Sequence, residues 1–126
     1  MNDSPLTTLT TVNIGAPDPH VLARFYQRLL GWNVEADEPE WVLLRPPEGG
    51  VGLSFQTEAD YVRPVWPGGR NDQQMMMHLE IRVEDLDIAG ALAASAGATL
   101  AEFQPQEDVR VYLDPAGHRF CLWLGA

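Results

Sequence analysis

The sequence predicts an α+β fold in which one βαβββ module occurs twice, and three observations predict it. Period-2 apolar runs and two helical stretches alternate in the order βαβββ, loop, βαβββ. Asp18 and Asp85, each placed to cap a helix, lie 67 residues apart, and Gly31 and Gly97, placed to end those helices, lie 66 apart. The turns PPEGG and DPAGH keep that frame, with Pro47 to Pro115 and Gly49 to Gly117 each 68 apart. Markers recurring at one spacing identify a duplication. A lone βαβββ unit would leave an apolar face and open sheet edges, so two of them are expected to pair.

Each element follows from its residues. Positions 1–6 read as a loose end. Thr7–Gly15 (TTLTTVNIG) is β-branched and alternating, hence a strand. Asp18 then caps a helix with Pro19 at its first position, and Val21, Leu22, Phe25 and Leu29, with Tyr26 beside them, form its apolar stripe. Gly31 closes it. Trp32–Ala36, Trp41–Arg45 and Val51–Gln56 read as three short strands parted by acidic and Pro-Gly turns. Glu58–Gln73 is a long connection holding Pro64, Pro67, Gly68 and Gly69, with Tyr61 and Trp66 embedded; loops of this length serve as lids or linkers. Met75–Asp87 (MMMHLEIRVEDLD) is a strand running into a helix start. Met77, Leu79, Ile81 and Val83 should face a core, while Met76, His78, Glu80 and Arg82 should face water or a cavity; Met75 and Met77 read as strand core. The second helix, Asp85–Ala96, ends at Gly97, and Thr99–Phe103, Asp108–Leu113 and Arg119–Leu124 finish the chain as strands. The chain is thus one domain over 1–126, with module one at 7–57, a linker at 58–73 and module two at 74–126.

Composition narrows the function. A 126-residue chain that is 45% hydrophobic can bury a core. No apolar run approaches the ~18–20 residues of a membrane span, and MNDSPLTTLT lacks the basic and apolar regions of a signal peptide, so a cytoplasmic protein is expected. A formal charge of −10 argues against nucleic-acid and anionic-membrane partners and permits a cationic ligand. Cys121 is the single cysteine, which is read as excluding an internal disulfide and a thiolate zinc site within one chain.

The motifs PDPHVLARFYQRLLGW, MHLEIRVEDLD, GAT at 97–99 and DPAGHRFCLWL, spanning about Leu9 to Leu124, resemble the vicinal-oxygen-chelate superfamily, the glyoxalase, bleomycin-resistance and extradiol-dioxygenase fold. They look most like its glyoxalase-like subgroup. The resemblance implies two half-barrels around a central cavity, a homodimer, and a divalent metal held by one residue from the first and one from the last strand of each module. Carried over by the repeat, those positions are Thr11, Leu53, His78 and Cys121. Only His78 matches a usual ligand type. Leu53 has no donor and a threonine hydroxyl is a poor ligand at neutral pH, so no metal cofactor is expected.

The remaining candidates are residues that would line the cavity. His78 and Glu80, at i and i+2 on one strand face, can contact a ligand together or act as a base and its orienting carboxylate. Thr11 and Asn13 share the equivalent face of the first strand. Cys121 is a thiol with His78 as its natural activator, or a buried structural residue. Phe55 and Trp123 lie two positions beyond Leu53 and Cys121 and so read as cavity aromatics, while Tyr61 and Trp66 could form a flap. The leading expectation is metal-independent binding of an aromatic or cationic small molecule, such as an antibiotic. The alternative is a metal-dependent or His78-based lyase, isomerase or dioxygenase.

Overall fold

The computed structural model describes residues 6–125, so the expected loose end falls, except for Leu6, outside the described residues. The chain divides into two compact units, one ending at Glu58 and one beginning at Ala59. Each has the same plan.

The first unit runs β1 (Thr11–Ala16), α1 (Pro19–Leu30), β2 (Asn33–Glu38), β3 (Trp41–Arg45) and β4 (Gly52–Thr57). Its sheet has the order β1-β4-β3-β2, with β1 and β4 parallel and the other neighbours antiparallel. Asp18 caps α1 by accepting from the His20 backbone N–H at 2.9 Å. Gly31 ends the helix at φ 72°, a left-handed conformation that glycine adopts without steric cost. The buried face of α1 (Leu22, Ala23, Phe25, Tyr26) covers the sheet. Tyr26 stacks on Phe55 of β4 at 5.7 Å, and Val42, Leu44 and Leu53 complete this core. Each such side chain contributes about 1.5–3 kcal/mol by leaving water.

The second unit runs β5 (Leu79–Val83), α2 (Leu86–Ala96), β6 (Thr99–Leu100), β7 (Val109–Leu113) and β8 (Arg119–Leu124), with sheet order β5-β8-β7-β6 and β5 parallel to β8. Asp85 caps α2 through the Ile88 N–H at 2.9 Å. Only Gly90 and Ala93 of α2 are buried, and a Cβ on Gly90 would collide with the Tyr112 hydroxyl. Helix and sheet therefore approach closely here because the contact residues are small. Tyr112 stacks on Phe120 at 5.7 Å, on the sheet face that α2 covers.

The structure corrects four sequence-based expectations. The first strand begins at Thr11, not Thr7. Met76 and Met77 are 84% and 76% exposed and precede β5, so the Met75–Met77 run is not strand core. The reason is that β5 pairs only with β8, which itself begins at Arg119, leaving earlier residues no ladder partner. The strand expected over Thr99–Phe103 stops at Leu100. There the Ala101 N–H still donates to the Val111 carbonyl, but the Gln104 amide also donates to the Ala101 and Val111 carbonyls (2.8 and 2.9 Å) and accepts from the Val111 N–H (2.9 Å), so a side chain takes the place of the ladder beyond Ala101.

The fourth correction concerns register. Val12, Asn13 and Ile14 pair with Leu53, Ser54 and Phe55, and Leu79, Glu80 and Ile81 pair with Phe120, Cys121 and Leu122. The counterpart of Cys121 is therefore Ser54, not Leu53, and the counterpart of Phe55 is Leu122, not Trp123. The turn joining β3 to β4 is one residue longer than that joining β7 to β8: paired Leu44 and Leu53 enclose eight residues, paired Tyr112 and Phe120 seven. Gly49 and Gly50 both take positive φ in the longer turn, where Gly117 alone does in the shorter. Counting from the turn glycine carries that extra residue into β4. A one-residue slip moves every side chain to the opposite sheet face.

Candidate functional site

On the face of the second sheet turned away from α2, the strands bring together an imidazole, a carboxylate, a thiol and a guanidinium. His78 stands one residue before β5 and Glu80 one residue into it. Their side chains meet directly, His78 Nε2 to Glu80 Oε2 at 2.6 Å, with 25% and 55% of each side chain exposed. Cys121 lies beside Glu80 in the β5–β8 ladder and is 1% exposed. The potential ligand atoms of His78, Glu80 and Cys121 all lie within 4.8 Å of one another.

Arg119 precedes Cys121 by two residues and shares its face. Its Nη2 donates to Cys121 Sγ at 3.5 Å, and its guanidinium carbon sits 4.0 Å from the centre of the Trp66 ring. Trp66 in turn packs on the buried group of Ala101, Val111 and Cys121 and meets the Phe103 ring at 5.6 Å. The long connection thus folds back over β7 and β8 and is held there by an aromatic–cation contact. Arg119 and Phe103 were not anticipated from the sequence. For Arg119 the signal was available, since it alternates with Cys121 and Trp123 on one face.

Other expected site residues have different places. Phe55 is fully buried on the helix side of its sheet, stacked on Tyr26, and lines no ligand face. Tyr61 forms no free flap: its hydroxyl donates to the Ala116 carbonyl at 2.6 Å and lies 3.2 Å from His118 Nε2. It latches the start of the connection onto the β7–β8 turn, itself tied by the buried Asp114 carboxylate accepting from the Ala116 and His118 N–H groups. Burial, with Asp114 nearby, pushes the Tyr61 phenol up to about 12, Arg63 acting the other way. Burial also raises the Tyr112 phenol under α2. Trp123 is half-buried on the same face as Cys121, paired in register with Arg82 and Val109.

In the first unit the corresponding positions carry no imidazole, carboxylate or thiol. Asn13 Nδ2 donates to Ser54 Oγ at 2.7 Å, and the Thr11 hydroxyl lies 3.3 Å from that of Thr10. The two modules therefore share a backbone plan but present different chemistry: hydroxyl and amide groups on one sheet, ionisable groups on the other.

Comparison with known proteins places this arrangement. The model of the glyoxalase-like domain family matches residues 11–123. No curated protein matches the chain. Among solved structures it is similar to a glyoxalase/bleomycin resistance protein/dioxygenase family enzyme from Burkholderia phytofirmans PsJN, at 20% identity and a TM-score of 0.70 over 92% of this chain and 97% of that one. A glyoxalase/bleomycin resistance protein from Albidiferax ferrireducens T118 aligns at 19% identity and a TM-score of 0.65, covering 93% and 98%. An antibiotic binding protein from Streptomyces sp. CB03234 aligns at 17% identity and a TM-score of 0.63, covering 98% and 99%. At these identities the likeness is one of fold.

Proposed function

The chain belongs to the glyoxalase-like domain family, and from that premise we propose that it is a small-molecule-binding protein that works without a bound metal. The observation carrying this reading is the inequality of the two modules. At the matched positions the second sheet presents His78, Glu80 and Cys121, while the first presents Thr11, Asn13 and Ser54.

The donor chemistry of the second sheet also fits a metal poorly. Two ligands of one tetrahedral ion, each about 2.1 Å from it, stand roughly 3.4 Å apart. His78 and Glu80 meet at 2.6 Å, the distance of a hydrogen bond. The Arg119 guanidinium, 3.5 Å from the Cys121 sulfur, would set a fixed positive charge beside the cation. A wall formed by His78, Glu80 and the Trp66 ring instead offers hydrogen bonds and aromatic area to a planar ligand. The antibiotic-binding neighbour from Streptomyces supports sequestration as the mode of action.

Thermal-shift and isothermal titration screens of chelator-treated protein against a broad set of aromatic compounds test the reading. Ligands that raise the melting temperature and lose affinity in His78→Ala are expected; no stabilisation by any compound would overturn it. One observation favours a second reading, a metal-dependent enzyme: the three donors within 4.8 Å of one another. It requires stoichiometric metal in protein purified without chelator, lost in His78→Ala. A homodimer completes the proposal, checked by sedimentation velocity across a concentration series.

A further inference from the structure

Arg119 carries a charge that no carboxylate balances among the described residues. Arg45, by contrast, has its Nε paired with Glu35 at 3.2 Å. Arg119 has only the Cys121 sulfur, a weak acceptor, at 3.5 Å, and its Nε is buried with no acceptor at all. Leaving a buried N–H of a charged group unmet is costly, so an added acceptor that reaches this guanidinium gains binding energy there. Glu80, the acid on the same sheet face, accepts from His78 instead. The Trp66 ring, its centre 4.0 Å from the guanidinium carbon, covers the group without offering its N–H donors a lone-pair acceptor.

We propose that Arg119 is the anion-recognising residue of the ligand site, and that the ligand is a planar aromatic acid whose carboxylate accepts from the Arg119 guanidinium beside Trp66. This rests on the binding reading above and narrows it, replacing the cationic compound suggested by net charge with an acidic one. The formal charge of −10 does not oppose the contact. It is spread over the surface and screened beyond about 8 Å at physiological salt, whereas Arg119 acts at hydrogen-bond range.

The test is titration of chelator-treated protein with three matched probes: 2-naphthoate, 2-naphthamide and 2-naphthylmethylamine. Naphthoate should bind about tenfold or more tightly than the amide, with a preference that shrinks as salt is raised. Arg119→Gln should bring the acid down to the amide's affinity, and Arg119→Lys should retain part of the preference. In 15N-labelled protein, the Arg119 Nε–H resonance should move with naphthoate and not with the amide. Equal affinity for acid and amide, or strongest binding of the amine, would overturn the proposal while leaving small-molecule binding in place. Absence of binding by all three also overturns it, and the broader aromatic screen then decides the reading beneath it. If Arg119→Gln does not fold, the wild-type acid-to-amide ratio and the Nε–H shift decide alone.

Discussion

Removing one oxygen from Tyr61 tests the latch between the long connection and the β7–β8 turn. Tyr61→Phe loses the 2.6 Å bond to the Ala116 carbonyl and should cost about 1–2 kcal/mol in urea denaturation. It should also change the alkaline profile. Burial and Asp114 push the Tyr61 phenol up to about 12, above the ~10 of a free tyrosine, so the folded protein holds this proton more tightly than the unfolded chain. The resulting stability is fully present below pH 10 and is lost as pH rises toward 12. Tyr61→Phe should flatten the fall in melting temperature across that window relative to wild type; an unchanged slope would contradict it. Phe55 supplies a second test at this scale. Fully buried against Tyr26, it should cost about 3–5 kcal/mol on replacement by Ala, whereas a ligand-wall residue would leave stability of the free protein little changed.

The helices and strands were legible to the extent that local chemistry defines them. The N-caps Asp18 and Asp85 and the C-terminal glycines Gly31 and Gly97 stand where the sequence places them, because capping is satisfied within a few residues. Trp41–Arg45 and Arg119–Leu124 match residue for residue. The face of β4 was not legible: an extra turn residue shifts the count by one, and only the pairing of β1 with β4 reveals it. The Arg119–Trp66 contact was equally hidden, since it joins a strand to a loop far away in sequence whose path no period describes. Gly90 on α2 offers the test at this scale. Gly to Ala in a helix ordinarily gains about 1 kcal/mol, but here the added Cβ meets the Tyr112 hydroxyl. Gly90→Ala should therefore destabilise the protein in chemical denaturation, and the Tyr112→Phe background should recover most of the loss. A stabilising Gly90→Ala would contradict the close approach of α2 to β7.

For the molecule as a whole, a duplicated fold has retained its frame while its two sheets have taken on different chemistry. Thr11, Asn13 and Ser54 on one sheet answer to His78, Glu80 and Cys121 on the other. The overall architecture was readable because repeat spacing survives such divergence, and so was the face of β5 with His78 and Glu80; the β4 position Ser54 was not, because it depends on which face each residue takes. Function then hangs on whether the ionisable sheet recognises a ligand by itself or through an ion. Isothermal titration of chelator-treated protein with its best aromatic ligand, with and without added zinc, separates these most directly. The affinity should be the same in both conditions and should fall in His78→Ala. Binding that appears only when zinc is restored would contradict the account.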